Sequence, residues 1–154
     1  MPARIVERIE DLRSLAGQEI GVSDWVTVTQ ETINRFADVT GDHQWIHIDA
    51  ARAGMESPYG TTIAHGFLTL SLLSDLSRQA VEIQGDFSRR INYGLNKVRF
   101  PAGVPAGGRI RGRFKLKTVE DVDGGVQIVW DCTVELEGSV KPALAAEWLT
   151  RLYF

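Results

Sequence analysis

Two consecutive runs of alternating apolar and polar residues in the second half of the chain constrain its fold more than any other feature. Over residues 110–117, apolar or small side chains alternate with arginine and lysine, and residues 128–136 repeat the two-residue period. Such a period turns successive side chains to opposite faces of a strand. Residues 123–125, Asp-Gly-Gly, supply a turn signal between the runs. The pattern predicts two antiparallel strands with a buried face and, on the first strand, a basic outer face.

The first half of the chain predicts two helices separated by a strand. Apolar residues recur at helical spacing over residues 5–15, which predicts a short amphipathic helix that ends near Gly17. Residues 22–28 have the composition of a strand. Thr29 then caps a second helix, which closes at Gly41 because glycine readily takes the left-handed conformation that ends a helix. The chain is therefore expected to change direction just after Gly41.

Residues 62–74 predict a helix that is buried on most sides, because apolar residues surround its axis instead of forming one stripe. Asp49 is expected to cap a short turn that precedes it. Residues 91–100 and 144–152 predict two further strands. Helices first and antiparallel strands after them are the order of an α+β domain, most simply one sheet wrapped around the buried helix. Since no repeat or linker interrupts the sequence, a single domain is expected over residues 1–154.

The composition argues against several classes of protein. With 154 residues and 44% hydrophobic content, the chain is long and apolar enough to bury a core. Its net charge of -3, without a basic stripe, argues against nucleic-acid binding. Cys132 is the only cysteine, so an internal disulfide is impossible. The longest apolar segment, residues 63–73, is shorter than the roughly 20 residues of a membrane span, and charged residues interrupt the N-terminus, so a cytoplasmic protein is expected.

Asp42 and His47 are the candidate acid/base pair of the chain. Five residues correspond to about 140° around an α-helix and to opposite faces of a strand, so neither element would bring the two side chains together. A loop after Gly41 would do so, and functional groups concentrate on irregular segments. A histidine, with an ordinary pKa of about 6.5, can take up or release a proton near neutral pH, while a carboxylate holds the same water from another side.

The segment 36–53 resembles the hydratase-2 motif of the MaoC-like, (R)-specific enoyl-CoA hydratases. That motif has an aromatic residue, a small helix end, Gly-Asp, a hydrophobic residue before His, and a small residue six positions further on. The matching residues are Phe36, Val39, Thr40, Gly41, Asp42, Ile46, His47 and Ala53. Residues 63–68 resemble the start of the family's central helix, and Phe100-Pro101, before a glycine-rich turn, resembles its next segment. Residues 92–101 look closest to the branch that includes nodulation protein N and small single-domain mycobacterial hydratases.

The resemblance spans roughly residues 20–150 and implies a hot-dog fold, in which an antiparallel sheet wraps around a long central helix. It also implies an activity, the addition of water to trans-2-enoyl-CoA to give (R)-3-hydroxyacyl-CoA, by a homodimer without metal or redox cofactor. Asp42 and His47 would contact the catalytic water, and Gly66, at the start of the central helix, would donate its N–H to the thioester oxygen. The chain departs from the family at Gln44-Trp45, where Asn-Pro is usual, and this bears on substrate scope.

Each of these residues also has a simpler interpretation. Asp42 follows a glycine, where aspartate commonly forms turns, and Gly66 would equally allow close packing of the helix. His65 is interpreted as a structural residue, hydrogen-bonded near the helix start and outside the catalytic set. His43 and His47 have the i,i+4 spacing of a zinc pair, but the preceding glycine argues against a helix and no clear third ligand follows, so no metal site is expected.

Two other functions stay open at the level of sequence. An acyl-CoA thioesterase on the same fold would direct water at the thioester carbonyl and release free CoA thiol. A non-catalytic acyl-thioester-binding subunit would keep the motif for its shape and would be expected to lose the acid or the base, and neither is lost here. Either Asp42 or His47 can protonate C2, and either coenzyme A or acyl carrier protein can carry the acyl chain.

Overall fold

One antiparallel sheet and a helix packed against it make up the body of the protein. The computed structural model describes residues 2–154. Its strands are β1 (Arg4–Val6), β2 (Glu19–Val22), β3 (Val26–Thr27), β4 (Val81–Ile83), β5 (Arg89–Arg99), β6 (Arg109–Val122), β7 (Gly125–Leu136) and β8 (Leu144–Tyr153). Its helices are α1 (Ile9–Ser14), α2 (Gln30–Thr40), α3 (Trp45–Ile48), α4 (Ala50–Glu56), α5 (Gly66–Ser71) and α6 (Leu73–Ala80). The main sheet has the order β2-β6-β7-β8-β5, and β3 also pairs with β6.

The two alternating runs form β6 and β7, which confirms the predicted antiparallel pair. Phe114 on β6 lies opposite Cys132 on β7, and both side chains are buried. The basic outer face is also confirmed, but Arg111, Arg113 and Lys117 are paired with carboxylates: the Arg113 Nε, for example, donates to the Glu135 carboxylate at 2.7 Å. The strands predicted near the end of the chain and before β6 correspond to β8 and β5.

The predicted N-terminal helix is wrong at its start. Ile5 lies in β1, which pairs in parallel with β4, and its side chain is 55% exposed. Helical spacing alone does not reveal this pairing, because the partner strand is distant in sequence. The strand predicted over residues 22–28 is also divided in two. Between β2 and β3, Ser23 donates its N–H to the Gly112 carbonyl and accepts the Gly112 N–H with its hydroxyl, each at 2.9 Å.

Helix α2 has the two ends that its sequence predicts. The Thr29 hydroxyl accepts a backbone N–H of the first turn at 3.1 Å, and Gly41 adopts a left-handed φ of 78° at the other end. Ile33 and Ala37 are fully buried on the inner face of the helix. These contacts fix the point at which the chain leaves the helix, and therefore the position of Asp42.

The central helix begins later and is less enclosed than predicted. Residues 62–65 are extended, the helix starts at Gly66, and a turn at Leu72 separates α5 from α6. Leu68 is 5% exposed on the side that faces the body, whereas Phe67 is 69% exposed on the other side. A single chain therefore covers only the sheet-facing side of the helix, because its sheet lies along that side alone.

The core lies between the inner face of the sheet and helices α1, α2 and α6. It includes Leu12, Ile33, Leu76, Ile128 and Leu152, each at most 1% exposed. This antiparallel sheet packed against one central helix is the hot-dog fold, as the resemblance implies. Within residues 2–154, no helix is long and apolar enough to cross a membrane.

Candidate active site

The end of α2 and the start of α5 bring the predicted acid/base pair together with a second histidine. Asp42 lies in the irregular turn after Gly41, as expected, and its Oδ1 accepts the Gln44 N–H at 3.3 Å. His47 lies on the one-turn helix α3, which begins after this turn, and not in a loop. One carboxylate oxygen of Asp42 and one ring nitrogen from each of His47 and His65 lie within 4.8 Å of one another.

His47 is held through both its ring and its backbone. Its Nδ1–H donates to the Ile63 carbonyl at 2.7 Å, since that oxygen can only accept. Its own carbonyl accepts a hydrogen bond from the Gln30 side-chain amide, also at 2.7 Å. The neutral ring therefore keeps its lone pair on Nε2, where it can accept a proton. Neither Ile63 nor Gln30 was identified from the sequence, because both act across long sequence separations.

The surroundings of His47 favour the neutral ring. Burial is the largest influence and lowers the pKa of His47 below its ordinary value of 6.5, since it penalises the charged form. The neighbouring His65 lowers the pKa further, whereas the hydrogen bond to Ile63 and the charge of Asp42 oppose these effects. His47 is thus suited to act as a base near neutral pH.

His65 is hydrogen-bonded near the helix start, as expected, and it lies beside the predicted acid/base pair. It precedes α5, is 3% exposed, and donates Nε2–H to the backbone oxygen of Asp42 at 2.9 Å. Its ring stacks on that of His47, with centroids 3.8 Å apart and planes inclined by 22°. Phe36 lies against the same ring at 5.0 Å. The available sequence signal was its place in the motif Ile63-Ala-His-Gly66, beside the predicted oxyanion donor.

Gly66 lies at the start of α5, lines the cavity described below and packs closely against Phe100. As the first residue of α5, it directs its N–H toward the open end of the helix. A Cβ at this position would lie 3.1 Å from ring atoms of Phe100, a side chain that is 39% exposed. Both interpretations of the glycine therefore have a structural basis.

A cavity of about 430 Å³ adjoins these groups. Its size lies within the range of small-molecule sites, about 300–1,000 Å³. It is lined by Phe36, Thr40, Asp42, His47, His65, Gly66, Phe67 and Phe100. A larger depression of about 510 Å³ near the N-terminus is lined mainly by charged side chains, including the ion pair Arg13–Asp121, and contains no histidine. The smaller cavity combines apolar walls with an acid and a base, so it is the better candidate for catalysis.

Three groups that can bind a metal, Asp42, His47 and His65, lie close together, and His43 is not among them. The pair His43 and His47, which was considered from its spacing, does not come together, because His43 is half exposed and contacts Asp38 at 2.9 Å. An imidazole binds a metal in the plane of its ring, at about 2.0–2.1 Å for zinc. Since His47 and His65 are stacked, their lone pairs lie in separate, nearly parallel planes and do not converge on one ion.

Trp45, at the departure from the family motif, packs on the side of α4. The guanidinium of Arg52 lies 4.3 Å from its ring centroid, a cation–π contact. Arg52 is held in turn by Glu56, whose carboxylate accepts from Nε at 2.7 Å. The aromatic side chain is therefore packed by its own segment of the protein.

The chain matches a known protein family and full-length relatives. Residues 11–136 match the family described as MaoC like domain. A protein named 3-hydroxyacyl-thioester dehydratase Z, from Mycobacterium tuberculosis, is 55% identical over 149 residues, which cover 96% of this chain and 97% of the relative. Nodulation protein N of Rhizobium leguminosarum bv. viciae is 46% identical over 147 residues, covering 95% of this chain and 91% of the relative.

A solved structure shares the fold at lower sequence identity. The (R)-hydratase from A. caviae involved in PHA biosynthesis aligns with a TM-score of 0.66 at 20% identity, over 86% of this chain and 95% of that chain. This likeness supports the hot-dog fold. Since the family match covers most of the sequence and the relatives align along nearly all of it, the chain belongs to the MaoC-like dehydratase family.

Proposed function

We propose that the protein is an (R)-specific enoyl-CoA hydratase, which adds water to trans-2-enoyl-CoA and, in reverse, dehydrates (R)-3-hydroxyacyl-CoA. The observation that carries the proposal is the approach of the Asp42 carboxylate and a His47 ring nitrogen, within 4.8 Å, beside an apolar cavity. Similarity to the mycobacterial dehydratase along nearly the whole chain supports a hydro-lyase. The apolar walls suit an acyl chain, and the polar groups suit water.

The reaction needs one proton removed and one proton delivered. His47 Nε2 accepts a proton from water, Asp42 orients the same water, and the water oxygen bonds to C3. The electron pair of the C2–C3 double bond moves toward the thioester, whose oxygen becomes negative. The proton held by the pair is then delivered to C2, which completes the addition. Asp42 and His47 are the proposed catalytic residues, and either can make this last transfer.

The negative thioester oxygen needs a donor, and Gly66 is the proposed one. Its backbone N–H lies at the start of α5, where the helix dipole adds a partial positive charge. The lack of a side chain would let the thioester carbonyl come close. Adding water changes no oxidation state, and the acid, the base and the N–H donor supply the catalysis, so the proposal includes no metal and no redox cofactor.

We also propose a homodimer, in which a second copy covers β5 and the open side of α5. Among the described strands, β5 pairs on one edge only, with β8. Tyr93 and Leu95 on this strand are 55% and 40% exposed, and Phe67 on α5 is 69% exposed. A long, uncovered edge strand with apolar side chains is a template for pairing with another chain. An identical edge from a second copy would satisfy it through two-fold symmetry.

The first experiment is a hydration assay with crotonyl-CoA. Loss of the enoyl-thioester absorbance reports hydration, a thiol reagent run in parallel reports hydrolysis, and coupled enzymes report the handedness of the product. We expect loss of the double bond without thiol release and formation of the (R)-3-hydroxy product. Release of thiol would indicate a thioesterase, and no reaction with crotonyl-CoA or longer enoyl-CoA substrates would favour a binding subunit.

Substitution of the proposed pair tests the mechanism. Asp42→Asn and His47→Gln should each lower the hydration rate by at least about a hundredfold, the lower range for general acid/base groups. His43→Gln is a matched control, since His43 lies on the same segment but contacts Asp38 outside the cavity. Near-normal turnover in either folded variant would remove that residue from the mechanism.

A further inference from the structure

The proton positions on His65 follow from the contacts of its two nitrogens. A carbonyl oxygen only accepts, so Nε2 carries the proton that is donated to Asp42. Among residues 2–154, no hydrogen-bond partner reaches Nδ1, which is buried. A proton on Nδ1 would be a buried donor without an acceptor, and it would place a charged ring against His47. The arrangement therefore selects the tautomer of His65 that carries its proton on Nε2.

A neutral His65 is poorly placed to transfer protons. Its N–H is already bonded to Asp42, and its bare nitrogen is closed off from solvent. Proton transfer is therefore left to the pair already described, and the contacts of His65 explain a different role. Those contacts hold the acid and the base at the same time.

The hydrogen bond from His65 matters for the position of Asp42 because the other hydrogen bonds of Asp42 are longer. The Asp42 N–H reaches the Thr40 hydroxyl at 3.3 Å, and its Oδ1 accepts from Gln44 at 3.3 Å. The bond from His65 to the Asp42 carbonyl, at 2.9 Å, is the shortest of the three. Since Asp42 is exposed at the mouth of the cavity, this bond ties its backbone to the buried start of α5.

The hold on His47 limits rotation of its ring. The hydrogen bond from Nδ1 to Ile63 fixes one atom of the ring but does not by itself prevent the ring plane from tilting. The stacked ring of His65, at a centroid distance of 3.8 Å, blocks this tilt. It therefore sets the plane in which His47 Nε2 presents its lone pair to water.

We propose that His65 is a positioning residue for the hydratase reaction, fixing the Asp42 backbone through Nε2–H and the His47 ring through stacking; this rests on the function proposed above. Two variants separate the contacts. His65→Phe keeps a flat ring but removes the N–H donor, whereas His65→Gln keeps a donor but removes the ring. His43→Gln serves again as the control, because the side chain of His43 is bonded to Asp38 and does not line the cavity.

Kinetics give the first readout. We expect each His65 variant to lower kcat roughly tenfold, the effect of one lost contact to a positioned group, with KM changed by less than about twofold. A residue that acts only on stability would lower the melting temperature and leave kcat unchanged. Wild-type kcat in both folded variants would overturn the proposal.

The second readout is histidine NMR on the protein without substrate, so it stays valid even if the wild-type protein proves inactive on enoyl thioesters. The titratable groups that face His47 are Asp42 and His65. In the wild-type protein, we expect the neutral form of His65 to carry its proton on Nε2. In His65→Gln, the ring of His47 should gain mobility, measured by NMR relaxation, because the stacked ring that limits its rotation is gone. A neutral His65 ring with its proton on Nδ1, or a His47 ring as rigid in His65→Gln as in the wild-type protein, would each overturn the proposal.

Discussion

Gln30, the first residue of α2, connects three elements around the site, and its removal should cost the protein a measurable part of its stability. Its side-chain nitrogen donates to the His47 carbonyl at 2.7 Å and to Asn34 Oδ1 at 2.9 Å. Its side-chain oxygen accepts a short hydrogen bond from the Thr62 hydroxyl, and Thr62 is 1% exposed. Gln30→Ala would leave the Thr62 hydroxyl and the His47 carbonyl without this partner.

The expected loss follows from these two partly buried groups. Leaving a buried donor or acceptor unpaired costs about 1–3 kcal/mol. His47 lines the cavity, where water can replace part of the lost bonding, and both hydrogen bonds are only partly buried, so we take the lower half of that range for each. The free energy of unfolding of Gln30→Ala should then fall by about 2–4 kcal/mol. At a slope of about 2 kcal/mol per molar urea, the midpoint moves down by about 1–2 M.

Urea denaturation followed by the fluorescence of the four tryptophans measures this loss. Wild type and variant must be compared at equal protein concentration, because dimerisation would couple stability to concentration. Gln79→Ala is the matched control, since the Gln79 amide donates to Asp75 at 2.9 Å in an exposed pair on α6. The control should stay within about 0.5 kcal/mol of wild type. A loss below about 1 kcal/mol for Gln30→Ala, or one equal to the control, would refute the reasoning.

Three further predictions address the cavity, the base and the edge strand. Gly66→Ala should lower kcat/KM at least about tenfold by crowding Phe100 and the proposed oxyanion position; unchanged kinetics would leave close packing as the role of the glycine. Since burial lowers the pKa of His47, kcat/KM should fall only below about pH 6.5. The pKa of histidine in the unfolded protein is about 6.5. Above this pH, neutral His47 should contribute its full share to the free energy of unfolding, and this share should be lost as pH falls through the lower pKa of His47 in the folded protein. Urea titrations at two pH values, with His47→Gln as reference, measure this loss, and identical pH dependence in both proteins would contradict it. Leu95→Lys on β5 should convert the proposed dimer to a monomer in light scattering, whereas Ile5→Lys, also at an exposed apolar position, should not; a dimer in both would place the interface elsewhere.

The features that sequence predicted correctly depend on neighbours within a few residues. The cap at Thr29 and the stop at Gly41 define α2, and the two-residue period of β6 identifies its buried face. Asp42 and His47 could be paired because a turn between them needs only local geometry. The resemblance to a known family added the fold, which periodicity alone left at the level of an α+β domain.

The features that sequence missed depend on contacts between distant segments. Ile5 has helical spacing but joins β1, whose partner β4 follows the central helix. His65 lies far along the chain from Asp42 and His47, and only the fold brings its ring against them. The open side of α5 was predicted to be buried, since a pattern of apolar residues does not distinguish burial within one chain from burial by a partner. Phe67 is the clearest example.

The contact between Trp45 and Arg52 supports the segment that carries Asp42 and His47. A proline there would stiffen the backbone through its ring, whereas here a guanidinium resting on an indole braces the same stretch from outside. The spacing between Asp42 and His47 is thus compatible with two different means of support. Laboratory evolution could therefore change residues 44–45 together with Arg52 on α4. Such changes would alter the outer surface beside the cavity and leave the positions of Asp42 and His47 unchanged.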